Sequence, residues 1–328
     1  MGMTHLVREM MFGMRQTFHY FECDHCCCLS LLDPPDDISL FYPPDKYYSL
    51  SENQPISVPR TPIRRWIKHF RDHAICFGRR GLPGVIARRY PNQDALDCRE
   101  WIRHTSLRSH RARILDVGCG NGWHLARLQG LGFTDLTGVD PYLPEDINFG
   151  SVRIRASPLT VLVGRVFDFV MLHHSLEHMP NQVEVLTQIR RLLAPDGECM
   201  VRIPIVSRGP WRTYGTDWAE IDAPRHFVLH TEMSLKIAAE SAGLAIKSIQ
   251  YESESFTYAA SELYRRNLSL YNDDAKRQRP LASVFDASEL QQFEFLSRTH
   301  HIPGWAGRAA FFLTPLSAPQ KTFSVFPG

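Results

Sequence analysis

The chain has 328 residues, 44% of them hydrophobic, and a formal net charge of +2, which suits one large packed domain with additions or two domains. Acidic and basic residues are spread evenly, so nothing marks duplex nucleic acid as the main partner, and a small-molecule or glycan substrate is the expectation. No apolar run approaches the ~20 residues of a membrane span, no secretory apolar region opens the chain, and Leu6 breaks the myristoylation pattern after Gly2, so a cytoplasmic location is expected.

Residues 1–60 are rich in aromatics, Pro and Cys, with turn-forming Asp33-Pro-Pro-Asp-Asp37 and the segment Phe41-Tyr-Pro-Pro-Asp-Lys-Tyr-Tyr48, and read as a small irregular module. Four of the eight cysteines (Cys23, Cys26, Cys27, Cys28) crowd together there, and the others are scattered, a pattern of thiols or metal ligands rather than of a disulfide framework. Cys23 and Cys26 have the C-x-x-C spacing that puts two thiolates around one ion. A structural zinc needs four ligands, and His5, His19, His25, Cys27 or Cys28 would have to complete the set, unless an earlier cysteine pair precedes the present start. Residues 61–105 show helical periodicity interrupted by Gly81-Leu-Pro-Gly84, with Arg64, Arg65, Arg79, Arg80, Arg88 and Arg89. A helical collar over a pocket and a solvated helical face both fit.

From residue 111 strands and helices alternate as in a doubly wound α/β sheet. Arg113–Val117 is the first strand, and Gly118, Gly120 and Gly122 then allow a tight turn into a helix over 123–130, whose free N–H groups suit a carboxylate or phosphate. The second strand, Asp135–Val139, ends at Asp140, whose carboxylate can accept hydrogen bonds from both hydroxyls of a ribose. A nicotinamide-dinucleotide turn would carry glycine where Trp123 stands, and the buried-strand position of Asp116 suits a cationic group such as an amine. Ser151–Arg155, Phe167–His173, Glu198–Ile205 and Ile246–Tyr251 read as strands three to six, with helices over 182–193 and 232–242 between them. The first of these helices stops at Ala194-Pro-Asp-Gly197. Ala309–Pro315 is the late apolar run suited to a closing strand, which makes 256–304 an insertion with helices over 260–270 and 288–298, inside a domain of 106–316 followed by a tail of 317–328; residues 251–328 as a separate domain are the competing parse.

The segment from Arg113 to Trp123 with Gly-Val-Asp140 resembles the first motif and acidic successor of class I S-adenosylmethionine-dependent methyltransferases. The resemblance implies a doubly wound seven-stranded (Rossmann-like) sheet with the last strand antiparallel, S-adenosyl-L-methionine as cofactor, and Asp116, Gly118, Gly120, Gly122 and Asp140 as its ligands. His173-His-Ser-Leu-Glu-His178 resembles the turn after the fourth strand, where His173 or His174 would contact the cofactor, and Glu177 and His178 would take catalytic roles or simply begin a helix. Trp218–His226, followed by Phe227-Val-Leu-His-Thr231, resembles a bacterial subfamily found among polysaccharide biosynthesis genes, often with a cysteine zinc ribbon. The residues of this loop suit a sugar, since aromatic faces with carboxylates form such an environment: Trp211, Tyr214, Trp218, Asp222 and Arg225 are candidate substrate-binding residues, Arg225 for a phosphate or carboxylate, and His226, of a type that titrates near neutral pH, is the candidate general base. An Asp222–Arg225 pair with His226 holding the loop is the structural alternative. Where relatives place an adenine-reading acid after strand three, this chain has Ala156 and Ser157.

The resulting expectation is methyl transfer to a sugar or glycan-related acceptor, on oxygen. A lipid-like or quinone acceptor and an inactive cofactor-binding scaffold stay open. Oligomeric state is not legible.

Overall fold

A computed structural model describes residues 2–42, 62–78, 84–85, 89–271 and 278–316. The expected Pro43–Tyr48 stretch and the rest of the module to residue 60, Arg79, Arg80, Gly81, Arg88 and the 317–328 tail lie outside the described residues, as do the side chains of Arg64 and Arg65.

The chain begins with strands β1 (Met3–Arg8), β2 (Thr17–Glu22) and β3 (Leu29–Leu31), followed by helices α1 (Pro62–Cys76) and α2 (Gln93–Ile102). The alternating part runs β4 (Arg113–Val117), α3 (Trp123–Leu131), β5 (Asp135–Val139), β6 (Ile147–Phe149), β7 (Val152–Arg155), β8 (Phe167–His173), α4 (Gln182–Leu192) and β9 (Leu193–Pro204). It continues with α5 (Pro210–Tyr214), β10 (Val228–Leu229), α6 (Glu232–Ser241), β11 (Leu244–Glu252), α7 (Ser255–Arg265), α8 (Ala287–Thr299) and β12 (Arg308–Pro315).

The main sheet has the order β11-β12-β9-β8-β4-β5-β7-β6. Strands β9, β8, β4, β5 and β7 are parallel neighbours, while β12 runs antiparallel between β9 and β11. The sheet therefore has eight strands, not seven. The additional β6 pairs antiparallel with β7 through a turn at Gly150, and three residues with no alternating pattern leave no signal in the sequence. The central strand β8 shows why the fold forms. Val170 and Leu172 enter one apolar cluster with Leu186, Ile189 and Leu235 of α4 and α6, whereas Phe169 and Met171 enter another with Ala95, Cys98 and Leu125 of α2 and α3. Alternate residues of one strand thus bury on opposite faces. The helices of 61–105 supply Ile75, Cys76 and Ile102 to that second cluster, so they form a layer of the core.

The segment expected to be irregular is a regular antiparallel sheet, ordered β1-β2-β3-β10, over its described residues. Phe18 and Tyr20 point inward while Thr17 and His19 are exposed, the period of two of a half-buried strand. Its apolar face packs with Trp218 and Ile221 of the loop after β9 and with Tyr258 and Leu263 of α7, forming a third cluster against the carboxyl ends of the main strands.

Candidate cofactor and acceptor site

The cofactor side is built on the turn after β4. Gly118 and Gly122 have φ of 71° and 83°, and an added Cβ would come within 2.6 Å of Ser175 Cβ and 2.3 Å of Ile154 Cδ1, respectively, so both conformation and space demand glycine. Asp140 holds the turn: its carboxylate accepts from the Gly120 N–H at 2.9 Å and from the Tyr142 N–H at 2.9 Å, with lone pairs left on both oxygens for ribose hydroxyls. Asp116 is buried with neither oxygen hydrogen-bonded, and burial, then the nearby Asp140 charge, push its carboxyl up to about 8. An orphaned buried carboxylate beside a left-handed glycine turn fits a cationic nucleoside cofactor such as S-adenosylmethionine. Trp123 is half exposed at the start of α3, with the Arg127 guanidinium 4.5 Å from its ring.

The turn after β8 separates His173 and His174, either of which was expected to contact the cofactor. The His173 ring stacks on His124 at 4.0 Å and lies 4.5 Å from Trp101, and burial keeps it neutral with neither ring nitrogen hydrogen-bonded. His174, at φ 49°, turns to the other side, where its ring nitrogens lie 3.2 Å from Glu177 Oε1 and 2.9 Å from Arg202 Nη1. The Ser175 hydroxyl donates to the Val117 carbonyl at 2.7 Å and ties this turn to the glycine turn.

His174, Glu177, His178, Asp222, His226 and Arg308 are among the residues lining a cavity of about 140 Å3 at the carboxyl end of the sheet. Burial pushes the Glu177 carboxyl up to about 8 and the His178 imidazole down to about 3, and it lowers His226 as well. The His178 Nδ1 lies 3.0 Å from the Arg225 carbonyl, and the His226 Nδ1 lies 2.8 Å from the Glu220 carbonyl. The Tyr42 hydroxyl also lies 3.0 Å from His178 Nδ1. Since carbonyls only accept, a proton on each Nδ1 is the tautomer that satisfies both carbonyls, and it leaves the lone pair on each Nε2.

Most of the expected substrate loop is structural. Arg225 is fully buried and donates to Asp222 Oδ2 at 2.8 Å and Oδ1 at 2.6 Å, to Glu9 Oε1 at 3.0 Å and to the Phe41 carbonyl at 3.1 Å. Four of its five N–H donors are taken and the side chain has no exposed surface, so it is closed to a substrate anion. Trp218 is a core residue, Tyr214 is buried against Tyr258, and Trp211 packs edge-on to His5 at 5.2 Å. Of the five residues, Asp222 alone is among those lining the cavity. Among the lining residues that escaped the sequence reading, Arg308 pairs with Glu220, and the Thr257 hydroxyl donates to Glu220 Oε1 at 2.7 Å. Arg308 and Thr257 arrive from remote elements and no local pattern marks them.

The cysteines occupy the turn between β2 and β3, where the Cys27 N–H donates to the Cys23 carbonyl at 2.8 Å. The backbone N–H groups of Cys26 and His25 lower the Cys23 thiol, while burial pushes Cys28 up to about 12. Among the described residues, no group of three or more candidate ligands close enough for one ion includes Cys23 and Cys26. Among the described residues, the group of three or more candidate ligands within reach of one ion is Glu177, His178 and His226.

Residues 90–249 match the Methyltransf_23 family, a methyltransferase domain. This span is a class I S-adenosylmethionine-dependent methyltransferase domain. The methyltransferase domain is similar to the tRNA U34 carboxymethyltransferases of Methylococcus capsulatus (35% identical over 105 residues, 29% of this chain and 32% of the relative), Colwellia psychrerythraea (31%, 28% and 32%) and Aeromonas salmonicida (33%, 29% and 33%). The chain thus spans about a third of the length of the curated relatives it matches. These relatives overturn the sugar or glycan acceptor and the small-molecule partner. The charge argument failed because net charge sums over the chain and duplex binding is not the only way to meet RNA, whose unpaired loops are recognised nucleotide by nucleotide. No helix among the described residues is long and apolar enough to cross a membrane.

Proposed function

We propose that the chain transfers a methyl group from S-adenosylmethionine to a tRNA nucleotide placed in the cavity beside Glu177, His178 and His226. The observation that carries the reading is the buried, unpartnered Asp116 behind the Gly118 turn, with Asp140 facing the same turn. In this reading Gly118, Gly120, Gly122 and Asp140 seat the nucleoside, Asp116 meets the ammonium group, and His173 and His174 wall the two sides of the methionine portion. The tRNA part rests on the relatives' names and on size. A cavity of about 140 Å3 has the room of four or five waters at ~30 Å3 each, enough for one small group turned out of its stack.

The sulfonium of the cofactor supplies the activated methyl, so the protein's part is to align the acceptor and remove its proton. His178 and His226, held neutral by burial, provide lone pairs for that proton. The test is incubation with labelled S-adenosylmethionine and bulk tRNA, nuclease digestion and mass analysis of the nucleosides, alongside titration of S-adenosylhomocysteine. Expected are a methylated nucleoside and an affinity that falls about tenfold or more in Asp140→Ala, since one such bond contributes about 1.4 kcal/mol or more. A protein that binds S-adenosylhomocysteine yet leaves tRNA unlabelled would sink the acceptor class.

A further inference from the structure

We propose that Glu177, His178 and His226 form a binding site for a divalent cation of the zinc class, open to the acceptor cavity. The three side chains each offer a ligand atom within 4.8 Å of the other two, close enough to surround a single ion. Two imidazoles and one carboxylate are the donor set of catalytic zinc sites, which keep a further coordination position free for water or substrate. The second ring of partners is in place. The Arg225 carbonyl and the Tyr42 hydroxyl face Nδ1 of His178, and the Glu220 carbonyl faces Nδ1 of His226, as outer partners of metal-bound histidines do, so that the tautomer with the proton on Nδ1 offers Nε2 as the metal donor. The His174 ring takes up Glu177 Oε1, while Glu177 Oε2 is buried without a partner. The Phe227 N–H donates to the Glu177 carbonyl at 2.7 Å, so the backbone fixes His226 beside Glu177 without any ion. Asp222 Oδ2 lies 3.9 Å from His226 Nε2, but Arg225 engages both of its oxygens, and it adds negative charge at the rim rather than a ligand.

The inference deepens the reading of this cavity as the acceptor site. An ion held here would bind the acceptor oxygen and lower its proton affinity, the task otherwise left to a neutral histidine. The full-length protein, stripped with chelator, is titrated with CoCl2 and followed by visible absorption. Expected is one equivalent bound with ligand-field bands and no thiolate charge-transfer band, unchanged in the Cys23→Ser/Cys26→Ser double variant and more than tenfold weaker in both Glu177→Gln and His226→Gln. S-adenosylhomocysteine affinity, read on each variant, reports that the fold is intact. Absence of cobalt binding, or binding that follows the cysteines and survives Glu177→Gln, overturns the site. Cobalt bound at Glu177 by a protein that does not bind S-adenosylhomocysteine would leave the metal site standing and remove the functional reading, whereas the reverse pattern does the opposite.

Discussion

The cofactor turn and the acceptor cavity meet at the end of β8, yet they are assembled in different ways. The turn is local: Asp116, three glycines and Asp140 lie in one strand-turn-helix-strand unit, bonded largely through backbone N–H groups. The cavity draws Met11 from the connection between β1 and β2, Glu177 and His178 from the turn after β8, His226 from the loop beyond β9, Thr257 from α7 and Arg308 from β12. A local unit tolerates loss of a distant partner. A site gathered from five chain segments depends on the buried ionic and hydrogen-bonded groups that pin those segments together.

The sharpest way to break this contrast is Arg225→Met. Arg225 joins Glu9, Phe41 and Asp222, and Glu9 in turn accepts from the Phe12 and Met14 N–H groups. Removing the guanidinium leaves two carboxylates without their counter-ion in the interior, at a cost of about 3–5 kcal/mol. Thermal unfolding should show early loss of the region packed by the N-terminal sheet, with S-adenosylhomocysteine affinity within a few-fold of the parent. Loss of both together would mean that the two regions are one cooperative unit.

The same contrast explains what could be read from residues alone. The β8 run, the glycine turn and Asp140 announce themselves through short-range pattern, because a buried parallel strand and a left-handed turn impose composition on a few consecutive residues. The boundaries of α7 did not. Its helix starts at Ser255, five residues before the expected one, since burial of Tyr258 and Ala259 against the N-terminal sheet extends it beyond the local signal. Arg225 was misread for a related reason: an arginine beside a carboxylate and aromatics looks alike at a ligand site and in a buried pin. What decides is Glu9, more than 200 residues away, whose partnership no spacing rule reveals.

A second test acts on the cofactor side alone. The Asp116 carboxyl sits at about 8 in the folded protein, against the ordinary carboxylate value near 4 when unfolded. Between those values the folded state holds a proton that the unfolded state has released, so this group makes stability fall as pH rises, by up to about 1.4 kcal/mol per pH unit. Asp116→Asn removes that slope. Unfolding midpoints measured from pH 5 to 8 should decline less steeply in the variant, and an unchanged profile would show that Asp116 is ionised and partnered in the fold.

The mildest test returns to the joint between the regions. The buried Tyr20 hydroxyl, carried by β2, donates to the His226 carbonyl at 2.7 Å, one of the hydrogen bonds by which the N-terminal sheet fixes the acceptor loop. Tyr20→Phe keeps the ring in its apolar cluster and removes only that donor, so the loss should be about 1 kcal/mol, within the range for an unsatisfied buried carbonyl. If the acceptor side depends on such joints, the variant should bind S-adenosylhomocysteine like the parent while methyl transfer to tRNA slows, because the His226 backbone gains freedom beside Glu177. Equal turnover with the expected stability loss would show that the Phe227 N–H bond to Glu177 suffices to place His226, and that the N-terminal sheet stabilises the cavity without positioning it.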